Sequence, residues 1–346
     1  MPEMTLAKRT LPNARQRARK KIITLLLLVV LLFVLFIVGC CLGPYALSID
    51  KVFMTLFGQG DFDSNLVMFD FRLPRLCLAL LVGIGMGFAG VIMQNLLHND
   101  LASPGTLGVS DGSTLFVTIY AAVIMKGNDI PILLPILALV GGMIAAVIIF
   151  FLGTKRRKPI SSTKLVLTGV AMGAAFGAVG TLMMYALDAS RLEFLQRWQA
   201  GELWGTEWNY ILILSIWVLA FGSLAYYKAK TLNAINIGYD VATSLGVNVK
   251  REFLILAFLA VGISSGCVAF GGNFFFLGLI GPHIARRLVG TDTRYLLPAS
   301  GLVSAIIVIA ANILVEDVPL FADIPTGIFV SLLAVPYFLY LLLRSR

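Results

Sequence analysis

A chain of 346 residues that is 59% hydrophobic and only 13% charged, with a mean hydropathy of +0.92, has more apolar surface than a water-soluble core can hide. A net charge of +9 would suit nucleic acid, but the basic residues stand in short runs between apolar segments, which is a membrane-topology pattern and argues against nucleic-acid binding. The cysteines (Cys40, Cys41, Cys77 and Cys267) all lie in apolar runs without a C-x-x-C pair, and the histidines are only His98 and His283, so a metal centre or disulfide framework is not expected.

Residues 1–21 form a basic, proline-containing tail, and an apolar run follows from Ile22 to Val38. Its charge pattern resembles a signal peptide. The apolar core is too long for one, however, and GCCLGPY leads on without a clear small-residue cleavage site, so the run is predicted to be a first, uncleaved span. Further apolar runs of spanning length lie near 73–97, 107–125, 131–152, 163–187, 209–227, 253–271, 274–290, 296–315 and 324–343, after the first at 22–42. No linker or low-complexity tract divides them. The expectation is an all-α integral membrane protein: a single domain over 22–346 with about ten transmembrane helices.

Charge sets the orientation. With the N-terminus inside and the sides alternating, 21 of the 27 basic residues fall inside and 12 of the 18 acidic residues outside. That obeys the positive-inside rule and predicts that both termini are cytoplasmic. A weak internal echo, RLCLALLVG from Arg75 and REFLILAFLAVG from Arg251, would run in opposite directions, as an inverted repeat requires.

Four places carry candidate chemistry. Arg72 and Arg75 flank Pro74 at the entry to the second span, on the side where arginine is scarce. Pro74 suits a first helical turn, while two cations there oppose the helix dipole by about 0.3–1 kcal/mol each. They either anchor in lipid headgroups or receive carboxylates of an external partner. The glycines of the second span (Gly83, Gly85, Gly87, Gly90) and of the fifth (Gly169, Gly173, Gly177, Gly180) suit close helix packing. In the fifth span Met172, Met183 and Met184 also offer a soft apolar face toward a path. The polar stretch from Lys228 to Arg251 is predicted to hold a short helix ending at Gly246, either as a plain loop or as a contact for a cytoplasmic subunit. The glycines and Pro282 of Gly271–Gly290 point to broken or re-entrant helix, in which Phe274, Phe275 and Phe276 form either a gate or a core cluster.

No GxxxxGK[ST], HExxH or GxSxG motif is present, which argues against nucleotide binding in the usual mode and against a hydrolase. Ionisable residues within the spans are scarce, with Asp111 and Lys164 read as lying near helix ends; an ion-coupled carrier or a membrane enzyme would need more.

RLPR at 72–75, PGTLGVSDG at 104–112, GYDVATSLGV at 238–247, FLGLIGPHIARRLVG at 276–290 and IPTGIFVSLLAVPYFLYLL at 324–342 together resemble the FecCD family. These are permease subunits of type II ABC importers for iron–siderophores, haem and cobalamin. The resemblance implies a ten-helix permease bundle in the cytoplasmic membrane of a prokaryote, with no cofactor of its own. Its implied partners are a cytoplasmic ATPase dimer holding ATP and Mg, a second permease subunit and an extracytoplasmic binding protein. It implies docking roles for Arg72 and Arg75. Gly238, Tyr239, Asp240, Ala242, Leu245 and Gly246 would couple to the ATPase. The path or gate is expected at Met172, Gly173, Gly177, Met183, Phe274, Phe275 and Phe276. The chain departs from the family at Asp100 and Ser103, where proline and aspartate are usual, at Tyr239-Asp240, and at Glu316-Asp317, where some relatives carry arginine.

Overall fold

A computed structural model describes residues 14–125, 132–154, 161–321 and 323–344. The tail as far as residue 13, Lys126, the cluster from Lys155 to Lys158 and Arg346 lie outside these. Helix α1 (Ala14–Cys41) is followed by two short helices, α2 (Ile49–Leu56) and α3 (Phe62–Asn65), capped by the side chains of Ser48 and Asp61. A π-helical stretch, Leu66–Arg72, runs into α4 (Leu73–Leu97) with Pro74 in its first turn. Then come α5 (Val109–Ile119) with a π-helical extension Tyr120–Ile124, α6 (Leu133–Gly153), α7 (Ser162–Met184), the short α8 (Ala189–Gln199) and α9 (Trp208–Tyr227). The chain closes with α10 (Ala229–Ile237), α11 (Tyr239–Ser244), α12 (Val249–Gly271), α13 (Leu277–Val289), α14 (Thr293–Asp317) and α15 (Thr326–Arg344). Among the described residues there is no strand.

Among the described residues, seven helices are long and apolar enough to cross a membrane. The expected runs at 107–125 and 274–290 are helical too, but shorter, and that at 324–343 is the 19-residue α15. The first is short because the chain has already travelled halfway before it coils. From the end of α4 it turns back, and Ser103 and Pro104 reach Gly278 at the level of Met86, midway along α4. A 3-10 turn (Gly105–Leu107) and Gly108, at φ +74°, then start α5. Such a re-entrant segment is tolerated in a membrane only when it is enclosed by protein, and Ser103, Pro104, Gly105 and Leu107 are all buried.

The core is built from α4, α12 and α14. Of its spanning window α12 buries 83%, against 6% for α1 and 17% for α7 at the periphery. Lipid provides no hydrophobic drive between helices, so close backbone approach must supply the attraction. A Cβ on Gly83 would come within 3 Å of the Ala305 backbone, one on Gly87 would meet the Ser300 carbonyl, and one on Gly90 would meet the Gly278 carbonyl. The last carbonyl stands four residues before Pro282, which has no N–H to bond it, so Gly90 covers a group left free within α13. The helices that open with the two echoing segments, α4 and α12, pack side by side, with Gly85 against Cys267.

Overpacking should therefore separate the two sets of glycines. Gly90→Leu is expected to cost about 3 kcal/mol or more, and Gly177→Ala, which meets open space, close to nothing. Thermal unfolding of the purified protein, followed by size-exclusion monodispersity, checks this.

Candidate functional site

At the end of the molecule that carries α2, α3 and α8, the two RLPR arginines have different surroundings. Arg72 is 6% exposed, and its guanidinium donates to the Cys40 carbonyl at 2.6 Å and to the Tyr45 carbonyl. It satisfies carbonyls that the end of α1 leaves free and holds the following loop against α4. Arg75 stays about a third exposed. Its Nε donates to Asn312 Oδ1 at 2.9 Å and pairs with Glu316 at 2.7 Å, while the neighbouring Asp317 accepts from the Gly43 N–H. Of the two acids that depart from the family pattern, Glu316 is thus engaged with the entry of α4 and Asp317 with the loop after α1. Of the two arginines, only Arg75 presents a surface to a partner.

Midway along the bundle, the re-entrant loop lies between two of the expected path elements. Phe275 packs on Gly105, and on the other side Gly169 and Gly173 of α7 pack on Leu107, Gly108 and Asp111. Phe274 is fully buried, whereas Phe275 and Phe276 are half-buried and meet edge to face at 5.1 Å. On α7, Gly173 is buried, Met172 and Met183 are half-buried, and Gly177 is exposed with no atom within 4 Å of where its Cβ would stand. The expected path residues are therefore divided. Gly173, Phe275 and the loop form one cluster, while Gly177 and the outer face of α7 stand open.

The opposite end holds α10 and α11, separated by Gly238 at φ +148° and closed by Gly246 at φ +83°. The expected single short helix is two. Ala242 is buried, but Ile237, Val241 and Leu245, at four-residue spacing, are 69%, 44% and 67% exposed. Tyr239 reaches inward: its hydroxyl donates to the Leu96 carbonyl at 2.6 Å, and its ring meets His98 edge to face. Burial pushes the Tyr239 phenol up, against an opposing hydrogen bond with Ser162, so the phenol remains a neutral donor at physiological pH. His98 in turn bonds the Ile235 carbonyl. The segment is braced at its base by Lys228 and Glu252, 2.8 Å apart.

A polar chain continues from α10 into the bundle. Asn233 donates to Asp292 and accepts from the Thr293 N–H, and Thr293 Oγ1 accepts from Asn95 near the end of α4. Arg286 of α13 donates to Gln94 and Asn95 and pairs with Asp100 of the re-entrant loop at 2.5 Å. Burial disfavours the Asp292 carboxylate, but hydrogen bonds from Asn233 and the Arg294 N–H outweigh it and hold the group below its usual range. Its stabilising contribution is therefore present above the ordinary aspartate range and is lost only as pH falls through that lowered value.

Residues 30–344 match the model of the FecCD transport family. The chain belongs to that family. FecCD relatives include the iron(3+)-hydroxamate import system permease of Bacillus subtilis, 35% identical over 337 residues that cover 95% of this chain and 99% of that one. The Fe(3+)-citrate import system permease of the same organism is 36% identical over 328 residues, 94% of this chain and 96% of the other. Among solved structures, a metal-chelate type ABC transporter in an inward-facing conformation superposes with a TM-score of 0.79 at 26% identity, covering 93% of this chain and 99% of that one. As a FecCD protein the chain is a multi-pass transport permease rather than a catalyst.

Reading the sequence located the FecCD segments but missed the links between them. Asp100 was visible as a departure from the family loop and Arg286 as part of GPHIARR, yet nothing in the order of residues says that they meet. Asp111, expected near a helix end, does begin α5, but at mid-depth.

Substitution should tell the two arginines apart. Arg72→Ala strips a buried charge-assisted donor from two carbonyls and is expected to cost about 3 kcal/mol of stability. Arg75→Ala breaks a half-exposed pair worth less than about 1 kcal/mol. Thermal shift of the detergent-solubilised variants measures the difference, and similar destabilisation by both would contradict the assignment.

Proposed function

We propose that this chain is the permease subunit of an ATP-driven importer that takes a ferric siderophore from an extracytoplasmic binding protein and releases it into the cytoplasm. Its setting is the cytoplasmic membrane of a prokaryote, where it pairs with a second permease, identical or homologous, over an ATPase dimer that holds ATP and Mg. The observation that carries this reading is the exposure of the apolar Ile237, Val241 and Leu245 on a segment that Tyr239 ties into the bundle. Exposed apolar side chains at a polar end of a membrane protein mark a binding surface. Here they sit beside Gly238, Asp240 and Gly246, the positions matched to the family's ATPase contact.

The same geometry provides a route for movement. A push on α11 acts through Tyr239 on the end of α4, and through Asn233 on Asp292, Thr293 and Asn95. Arg286 passes the shift to the re-entrant loop at Asp100, and that loop supports both Phe275 and α7. At the far end Arg75, preoriented by Asn312 and Glu316, is the group through which the binding protein would engage α4. Iron is the cargo of choice because the hydroxamate and citrate import permeases above cover nearly the whole chain.

Purification of the tagged chain with its co-expressed ATPase, followed by ATP-dependent uptake of radioactive ferric hydroxamate into proteoliposomes, tests the reading. Copurification of the ATPase, and uptake that needs ATP, are expected; uptake that survives without nucleotide would overturn the reading. Tyr239→Phe removes one hydrogen bond worth about 1 kcal/mol. It is expected to keep the ATPase bound while lowering uptake several-fold, seen as a fall in chelate transported per ATP hydrolysed.

A further inference from the structure

One ionisable side chain has no part in the docking or coupling surfaces. Asp111 stands in the first turn of α5, beside Gly173, the twelfth of the 23 residues of α7. Its carboxylate is therefore close to mid-depth, not at a membrane surface. It is half-buried and, among the described residues, makes no hydrogen bond or ion pair. An acid in a first turn gains about 0.3–1 kcal/mol from the helix dipole. Taking a carboxylate out of water costs several kcal/mol. The dipole alone does not account for the placement.

The surroundings do. Gly173 makes the room, since a Cβ there would stand 2.5 Å from Asp111 Oδ2. One turn further along α7, Gly177 faces open space, and Met172 is half-buried next to Gly173. On the other side of the same loop lies Phe275. The acid thus lies in the cluster where the re-entrant loop, α7 and the Phe274–Phe276 connection meet. An unpaired intramembrane acid beside an open helix face is a contact for a positive or hydrogen-bond-donating group.

We propose that Asp111 is a cargo-contacting residue of the translocation path, which receives a cationic or hydrogen-bond-donating group of the passing chelate and disfavours anionic chelates. This rests on the reading of α7 as a wall of the path. A single unscreened carboxylate in a narrow apolar passage raises the local cation concentration and lowers that of anions. It therefore sorts ferric chelates of equal size by charge.

The test uses the assembled transporter with Cys40, Cys41, Cys77 and Cys267 replaced by alanine and Gly177→Cys introduced as a reporter. Methanethiosulfonate reagents bearing an ammonium or a sulfonate group are compared, each rate being normalised to that for a free thiol. With Asp111 present the ammonium reagent is expected to react at least ~10-fold faster than the sulfonate, and the isosteric Asp111→Asn should bring the ratio near one. A ratio that Asp111→Asn leaves unchanged overturns the proposal. Failure of Gly177→Cys to react with either reagent overturns the path reading, and the proposal with it. Uptake provides the second readout, using a ferric trihydroxamate with a pendant primary ammonium and its neutral N-acetyl counterpart. Asp111→Asn should lower uptake of the first ~10-fold and of the second less than about twofold; equal losses would assign Asp111 a structural role. If the parent transports neither chelate while the reporter still reacts, the hydroxamate cargo is wrong and the labelling ratio alone decides Asp111.

Discussion

Backbone approaching backbone at the glycines of α4 is the constraint on which the rest of this molecule depends. In water, burying apolar side chains drives helices together; in lipid the alternative environment is just as apolar, and only close packing and hydrogen bonds distinguish assembled from separate helices. Gly83, Gly87 and Gly90 let α14 and α13 approach α4 to within the reach of main-chain atoms. That closeness brings Gln94 and Asn95 against Arg286 and Thr293, and it leaves the space in which a loop can turn back to mid-depth. A side chain at any of these glycines would displace these hydrogen bonds together with the packing.

The polar groups follow the same logic. Several charged side chains at the two ends of the bundle have internal partners: Arg72 with main-chain carbonyls, Arg75 with Glu316, Lys228 with Glu252, Arg286 with Asp100. These contacts fix how the ends of helices sit on one another. They also join elements far apart in sequence, so a displacement at α11 has a continuous path of hydrogen bonds and packed backbone toward α7. Continuity alone does not make a two-state switch. It does identify the pieces that a switch would have to move together.

How much of this was legible beforehand differs by element. The spans were readable because hydropathy over twenty residues is a strong signal, and α1, α4, α6, α7, α9, α12 and α14 lie where their apolar runs predicted. The break at Gly272 before α13 was signalled by its glycines. The depth of the loop after α4 was not legible, because apolar residues at 101–109 fit a buried re-entrant turn as well as the start of a span. Nor was the division of labour between Arg72 and Arg75. Three residues apart, they look equivalent in RLPR, and only the returning α1–α2 connection makes one a buried donor and leaves the other facing outward. Tyr239 was noticed as a departure from an acidic pair, but its bond to Leu96 depends on a tertiary contact that no local pattern encodes.

The halfway start of α5 bears on how the chain enters the bilayer. With its π-helical extension the apolar segment runs only from Val109 to Ile124, short of the roughly 20 residues that a helix needs to partition into lipid unaided. Helix α6, 21 residues long with a hydropathy of 2.8, has no such difficulty. During synthesis α5 must therefore wait at the insertion machinery, or enter as a hairpin with α6, and the loop that precedes it can settle only after α7 and α13 have arrived to enclose it. The loop enclosed at mid-depth is thus among the last segments to find its place.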